Sequence, residues 1–452
     1  MNETKKIAVV GSGLVGSLLS IFLKKHRHQV EVYDRRPDIR NIKFSGRSIN
    51  LAMSHRGWKA LKNAGIEQQV RKLGIPMDKR AIHLVGQDVY FQPYGKAGEA
   101  IFSISRGLFN QKMIDFAEER GVEFKFDTRI WDVDLPEAIL YTGDSKWSPK
   151  TPLKFDHIFG ADGAFSAVRN RMQRQSMFDY SQQFLKIGYK ELTIPAGENG
   201  QHLLDKNSLH IWPRGHFMLI ALPNLDGSFT CTLFLPLEGE HSFEKLENEN
   251  ELTAFFESYF PNTIPFIPNL IKDFFANPTS SLVTISCYPW VYWDKVALIG
   301  DAAHAIVPFY GQGMNAGFED ITELDRLLQK HPNNWAEIFS NYQTLRKPNA
   351  DAIAELSFRN LTEMSSKTAD PDFILRKKIE KNLMEKFPDK WLPLYSMVTF
   401  SDIPYAEALR EGDKQNKVMD AVMQLPKIHQ IWESKTVEDF ILNELKTEGN
   451  EK

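Results

Sequence analysis

The segment Gly11-Ser12-Gly13-Leu14-Val15-Gly16 constrains this chain more than any other. It stands between a buried-strand pattern, Ile7-Ala8-Val9-Val10, and a helix pattern from Leu14 to Lys25, and a second strand, Gln29 to Asp34, follows a tight turn. Strand, glycine turn, helix and a strand ending in an acid open a doubly wound parallel sheet. The first glycine permits the turn, the second lets a pyrophosphate reach the backbone, and the third brings helix close to strand. Phosphates then sit on the helix N-terminus, where free N–H groups and the dipole favour negative charge. A dinucleotide site is therefore expected at Gly11, Gly13 and Gly16, with Asp34 accepting hydrogen bonds from the adenosine ribose.

The type of dinucleotide is less constrained. Arg35 and Arg36, directly after Asp34, could hold a ribose 2′-phosphate and so point to NADP. Two later strand ends point to FAD: Phe159-Gly160-Ala161-Asp162-Gly163-Ala164, and Leu298-Ile299-Gly300-Asp301-Ala302-Ala303-His304. A carboxylate at Asp301 could bind the ribityl hydroxyls that NAD lacks. His304 reads as a structural residue.

Composition sets the outer limits. With 55 Lys+Arg against 58 Asp+Glu the formal charge is −3, too small for a nucleic-acid binder. Cys231 and Cys287 are the only cysteines, which excludes a disulfide framework and any Cys-rich metal site and fits a reduced, cytoplasmic setting. No metal site is expected. The uncharged run Ile7 to Leu23 imitates a secretory signal, but glycines interrupt it and Lys24-Lys25-His26-Arg27 follows without a cleavage site. No other stretch approaches the roughly 18 to 20 apolar residues of a membrane span. The tail Glu444 to Lys452 is polar, so no membrane anchor is expected; a homodimer is compatible with this reading.

Ser54–Ala64 and Arg106–Arg120 read as helices, and Val122–Phe126 and Phe155–Gly160 as strands returning to the first sheet. From Leu185 to Leu237, short alternating runs between Pro and Gly turns predict a mostly antiparallel sheet. Lys295–Ile299 is another buried strand, leading into a helix near Met314–Gln329, and from Trp335 the text is helical with stops at Pro348, Pro371, Pro388 and Pro404. The fold class expected is α/β: a Rossmann-like doubly wound FAD-binding domain (1–70, 101–180, 287–334), an inserted, mostly antiparallel β-sheet substrate domain (71–100, 181–286) and a helical C-terminal region (335–452).

With the G-x-G-x-x-G, Asp-Gly and Gly-Asp segments in this order, residues 5 to 330 resemble the FAD-dependent aromatic hydroxylases. Six further segments extend the resemblance nearly end to end: Arg47–Ala52, Gln92–Gly95, Gly188–Leu192, Leu209–Pro213, Val307–Asn315 and Tyr395–Phe400. They narrow it to a branch whose substrate is an amino acid bearing a flat aminophenyl ketone. The resemblance implies bound FAD, transient NADPH, and O2 trapped as a flavin C4a-hydroperoxide, with water kept out. A single G-x-G-x-x-G leaves no second nucleotide domain, so the pyridine nucleotide visits and leaves.

By the same resemblance Arg80 and Tyr94 bind the substrate carboxylate and Asn360 and Tyr395 add polar contacts; as apolar residues for the ring, Phe234, Phe309 and Met364 are selected, not carried over from the family. Beside FAD it puts Val15, Tyr33, Asp34, Arg35, Arg36, Ala52, Arg106, Asp301, Met314 and Asn315, and by spacing Ile130 and Ala167. The helix begun by Gly311-Gln312-Gly313-Met314-Asn315 would stabilise an anionic reduced flavin, with Pro308 and Phe309 as an apolar wall. No acid or base is assigned, because the ring amino group already activates the attacked carbon. The competing readings are a hydroxylase of another aromatic and a catalytically silent flavin-binding module.

Overall fold

A computed structural model of the chain describes residues 3–42, 50–365, 367 and 370–450. Arg47, Ser48 and Ile49 of the segment quoted above, and the last two residues of the tail, lie outside them.

Six strands form the first sheet, in the order Val291–Tyr292, Val296–Leu298, His157–Gly160, Lys6–Val10, Gln29–Tyr33 and Glu123–Lys125. All neighbours are parallel except the first pair. The register sets Val10 opposite Tyr33 on one side and Gly160 on the other, with Leu298 opposite Gly160. Four carboxyl ends therefore lie in one row, where open α/β sheets bind their ligands. The uncharged run that imitated a signal is the buried strand Lys6–Val10 and the helix Leu14–Lys25, whose Leu18, Leu19, Phe22 and Leu23 pack against the sheet. Among the described residues no helix is long and apolar enough to cross a membrane.

A seven-stranded sheet runs in the order Ser280–Tyr288, Asp179–Ile194, Phe229–Pro236, Phe217–Pro223, Ser208–Arg214, Lys79–Ile82 and Tyr90–Pro93. It is antiparallel apart from one parallel pair, Lys79–Ile82 with Ser208–Arg214. Alternation along the strands divides two cores, since successive side chains leave opposite faces. Phe217, Leu219, Phe229, Cys231, Leu233 and Leu235 pack beneath the helices Glu249–Tyr259 and Leu270–Ala276. Met218, Leu222 and Phe234 face the other way, toward Phe309 and Met364. Two three-stranded sheets, not anticipated from the sequence, complete the strands: Leu51–Met53, Ile101–Ile104 and Gly74–Met77, and a meander at 130–154.

The C-terminal part is helical as expected, with one correction. Pro348 does not stop a helix; it lies inside Trp335–Ser365, which runs 31 residues. Proline removes one backbone donor, yet Tyr342, Arg346, Ala350 and Ile353 are buried on both sides of it, and that packing carries the helix through. Pro371 is the first residue of the Pro371–Lys386 helix and Pro404 precedes Tyr405–Met423.

Candidate active site

Close backbone approaches, rather than side chains, join the strand-end corners. Gly11 has φ +106°, and a Cβ there would lie 2.4 Å from the Ala161 carbonyl oxygen, so the first corner presses against the Asp162-Gly163 corner. Gly300, at φ +61°, and Gly317 are both closed by Val15, whose methyls would lie 3.1 and 2.7 Å from a Cβ. Arg169 ties the second and third corners, donating to Ala164 O at 2.5 Å and Ala302 O at 2.8 Å. Sequence reading missed Arg169, which stands in the helix Ala167–Met172, seven residues after Asp162.

These corners fit a dinucleotide. At Gly13 a Cβ would meet nothing within 4 Å, so that face is open, as a backbone that receives a pyrophosphate must be. Asp34 is 5% exposed, and its carboxylate accepts from Ser12 N at 2.9 Å, Ser12 Oγ at 2.7 Å and Arg36 N at 2.9 Å. Burial works against its charge, but the Arg36 guanidinium and these donors outweigh it and hold the carboxyl below its usual range. Arg36 therefore spends its guanidinium on Asp34, at 3.2 Å, while Arg35 is exposed. Asp301 and Arg106 are exposed, at the starts of the Asp301–His304 and Arg106–Glu118 helices. Asp162, by contrast, caps a helix, accepting from Ala167 N at 2.7 Å. Tyr33 turns inward, its hydroxyl on Glu31, and reaches the corner through its carbonyl, which accepts Gly11 N at 2.7 Å. Ile130 is likewise a core residue.

The turn Pro308–Tyr310 and the helix Gly313–Lys330 bring the third corner to the second sheet. Asn315 fixes this loop: Nδ2 donates to Ala52 O at 2.8 Å and Gly311 O at 2.9 Å, and Oδ1 accepts Ser54 N at 3.0 Å. Met314, beside it, is half-buried. Behind the loop Asp320 is fully buried between His304 Nε2 at 2.5 Å and Arg346 Nε at 2.7 Å, and Oδ2 also accepts Gly300 N at 3.2 Å. Burial opposes that charge, and His304 with Arg346 reverses the effect, leaving the Asp320 carboxyl below its usual range.

An aromatic cluster packs against this loop. Phe234 and Phe309 meet at 5.1 Å between ring centroids, and Met364 joins them in one buried cluster with Tyr94 and Leu209. Arg80 is 6% exposed because its short strand lies between two others, Leu209 opposite on one side and Gln92 on the other. Its guanidinium lies 5.1 Å from the Tyr94 ring and 4.8 Å from the Tyr395 ring. Tyr94, Tyr395 and Tyr310 stack in turn at 5.3 and 5.5 Å. Among the described residues Arg80 Nε and the Tyr94 hydroxyl are buried without a hydrogen bond of good geometry, and the guanidinium and the phenol interact with each other. Burial disfavours the Arg80 charge, but its neighbours, including Glu363 at 3.8 Å, outweigh this and raise its pKa. Burial also raises the Tyr94 pKa, so at neutral pH the phenol keeps its proton and can donate. A buried guanidinium beside a neutral phenol offers a carboxylate a cationic fork and a hydroxyl donor.

Asn360 differs from expectation in part, since Nδ2 donates to the Phe309 carbonyl at 2.6 Å and so holds the loop. Glu363 and Tyr310 were not singled out in the sequence. The signal for Glu363 was its position three residues after Asn360, on the same helix face.

The sequence matches the FAD binding domain family over residues 4–250 and 286–357. The chain is thus a flavoprotein of the FAD-dependent monooxygenase class. It is 62% identical over 446 residues to a kynurenine 3-monooxygenase of Christiangramia forsetii, covering 99% of this chain and 100% of that one. It is 64% identical over 442 residues to the kynurenine 3-monooxygenase of Flavobacterium johnsoniae, covering 98% and 99%. A crystal structure of 2-methyl-3-hydroxypyridine-5-carboxylic acid oxygenase shares the fold, with a TM-score of 0.68 at 20% identity over 84% of this chain and 98% of that one. The chain belongs to the kynurenine 3-monooxygenase family.

Proposed function

We propose that this chain hydroxylates L-kynurenine to 3-hydroxy-L-kynurenine, using NADPH and O2. The observation that carries the reading is the buried Arg80 guanidinium beside the Tyr94 phenol, the latter in one buried cluster with Phe234, Phe309 and Met364. The carboxylate pairs with the Arg80 fork and the Tyr94 hydroxyl, and the aminophenyl ring lies among the apolar side chains. Bound FAD supplies the chemistry of hydride acceptance from NADPH and activation of O2. The chain's own part is to hold the ring, exclude water and position the corners. The substrate's ring amino group directs attack to the neighbouring carbon, so no side chain is assigned as acid or base.

Gly11, Gly13, Val15, Gly16, Asp34, Arg106, Asp301 and the loop at Met314-Asn315 are the positions that would hold FAD. The open face at Gly13 supports this. Tyr33, Arg35, Arg36 and Ala52 belong to the same proposed set, as do Ile130 and Ala167 by spacing. The division into a cofactor unit (1–70, 101–180, 287–334), a substrate unit (71–100, 181–286) and a helical region (335–452) is part of the same proposal. So are a homodimeric assembly and a cytoplasmic setting, the latter supported by two buried cysteines that are both free.

Mass spectrometry after incubation with NADPH, O2 and kynurenine is the direct test; the expected product carries one added oxygen on the ring. Hydroxylation of a different aromatic without turnover of kynurenine would overturn the substrate. Bound FAD without kynurenine-stimulated NADPH oxidation would favour the silent module.

A further inference from the structure

The helix that carries Tyr395, Leu394–Phe400, has seven residues and follows Pro393. So short a helix does not hold itself, and its last carbonyls have no partner within it. One side chain holds one of them together with two carbonyls of the segment that follows. Arg56, 1% exposed on the helix His55–Asn63, donates through Nη1 to Val398 O at 3.0 Å and Ser401 O at 2.6 Å, and through Nη2 to Ile403 O. Its Nε lies 2.8 Å from Glu319 Oε1, and its plane lies 4.1 Å from the centre of the Tyr405 ring. Val398 is one turn after Tyr395, so whatever fixes the end of that helix fixes the ring. The N-terminus of the Arg56 helix is itself anchored at the 311–315 loop, where Ser54 N donates to Asn315 Oδ1, and from the start of the Tyr405–Met423 helix the Tyr405 hydroxyl donates to Gln312 Oε1 at 2.9 Å.

We propose that Arg56 is a positioning residue for the hydroxylation, acting through Tyr395 to hold the aromatic and carboxylate walls of the substrate site against the 308–315 loop. This rests on the kynurenine-hydroxylase reading above. Arg56 touches neither substrate nor cofactor. It works because a planar fork reaches three carbonyls at once, which a lysine ammonium on its single stem does not.

The test is a double-mutant cycle in the full-length, FAD-loaded protein, with Arg56→Lys, Tyr395→Leu and the pair. For Arg56→Lys we expect the KM for kynurenine to rise roughly tenfold, with kcat within about twofold. FAD occupancy stays close to wild type, while the lost buried hydrogen bonds lower the melting temperature by about a few degrees. In the Tyr395→Leu background the same Arg56→Lys change should add less than about twofold to KM, because the ring through which it acts is gone. An equal rise in both backgrounds, or a KM rise that tracks loss of FAD, overturns the proposal and leaves Arg56 a general anchor. If Arg56→Lys does not fold, Glu319→Gln replaces it: we expect a KM rise of about threefold that vanishes with Tyr395→Leu, and its persistence overturns the proposal. A wild-type protein that does not turn over kynurenine overturns the functional reading, and this inference with it.

Discussion

Arg80 shows how far a residue can depart from its local sequence. Between Asp78, Lys79 and Ala81 it reads as a solvated charge, yet it is nearly sealed, because the strands that cover it lie at 208–214 and 90–93. Only the family resemblance identified it; nothing in its neighbours did. Removing one member of a buried charge pair costs about 3 kcal/mol, so Arg80→Ala should weaken kynurenine binding roughly a hundredfold. FAD affinity should stay unchanged, as a flavin-absorbance titration would check. His304 gives a second expectation. Burial lowers its pKa and the Asp320 carboxylate more than restores it, so the folded value lies above the ordinary one. A pKa raised on folding stabilises fully below about 6.5 and less as pH rises through the folded value. Melting curves of wild type and His304→Gln between pH 6 and 9 should therefore converge as pH rises.

At the scale of the element, the glycine corner was legible because its requirements are local. Each glycine answers to atoms a few residues away or to the strand beside it, and strand, turn and helix carry their own periodicities. Gly13 and Gly16 nevertheless differ in what they serve. A Cβ at Gly16 would lie 1.9 Å from Gly11 O, whereas one at Gly13 is free. Gly16→Ala should destabilise the protein with or without flavin. Gly13→Ala should leave the flavin-free melting temperature nearly unchanged, a helix-cap effect of about 1 kcal/mol at most, while lowering FAD affinity. Denaturation with and without FAD separates the two. Pro348 shows the limit of local reading: a residue that ends isolated helices is carried by packing among Tyr342, Arg346 and Ile353, which the sequence does not display.

At the scale of the whole molecule, the alternation of strands and turns was enough to separate a parallel sheet from a later antiparallel one. Lys79–Ile82 and Tyr90–Pro93 lie at the edge of the second sheet; the expected boundaries had put 71–100 with that sheet but named no strand there. The parallel pairing that buries Arg80 was not expected, since strand partners so far apart leave no pattern in either segment. Because FAD would bind only where three distant corners meet, it should stabilise the assembled fold. At a hundred times its dissociation constant a ligand adds about 2.7 kcal/mol. For a chain of this length unfolding as one unit, that is a rise of about 3 °C in melting temperature, measurable by removing and restoring the flavin.

The Tyr395 helix carries one more implication, for engineering. A seven-residue segment held by an arginine from residue 56 has no independent shape to export. Grafting this amino-acid pocket onto another flavoprotein would require moving at least three discontinuous stretches together, the one bearing Arg80 and Tyr94, the one bearing Arg56, and the one bearing Tyr395. A contiguous peptide cut from around Tyr395 would arrive as coil.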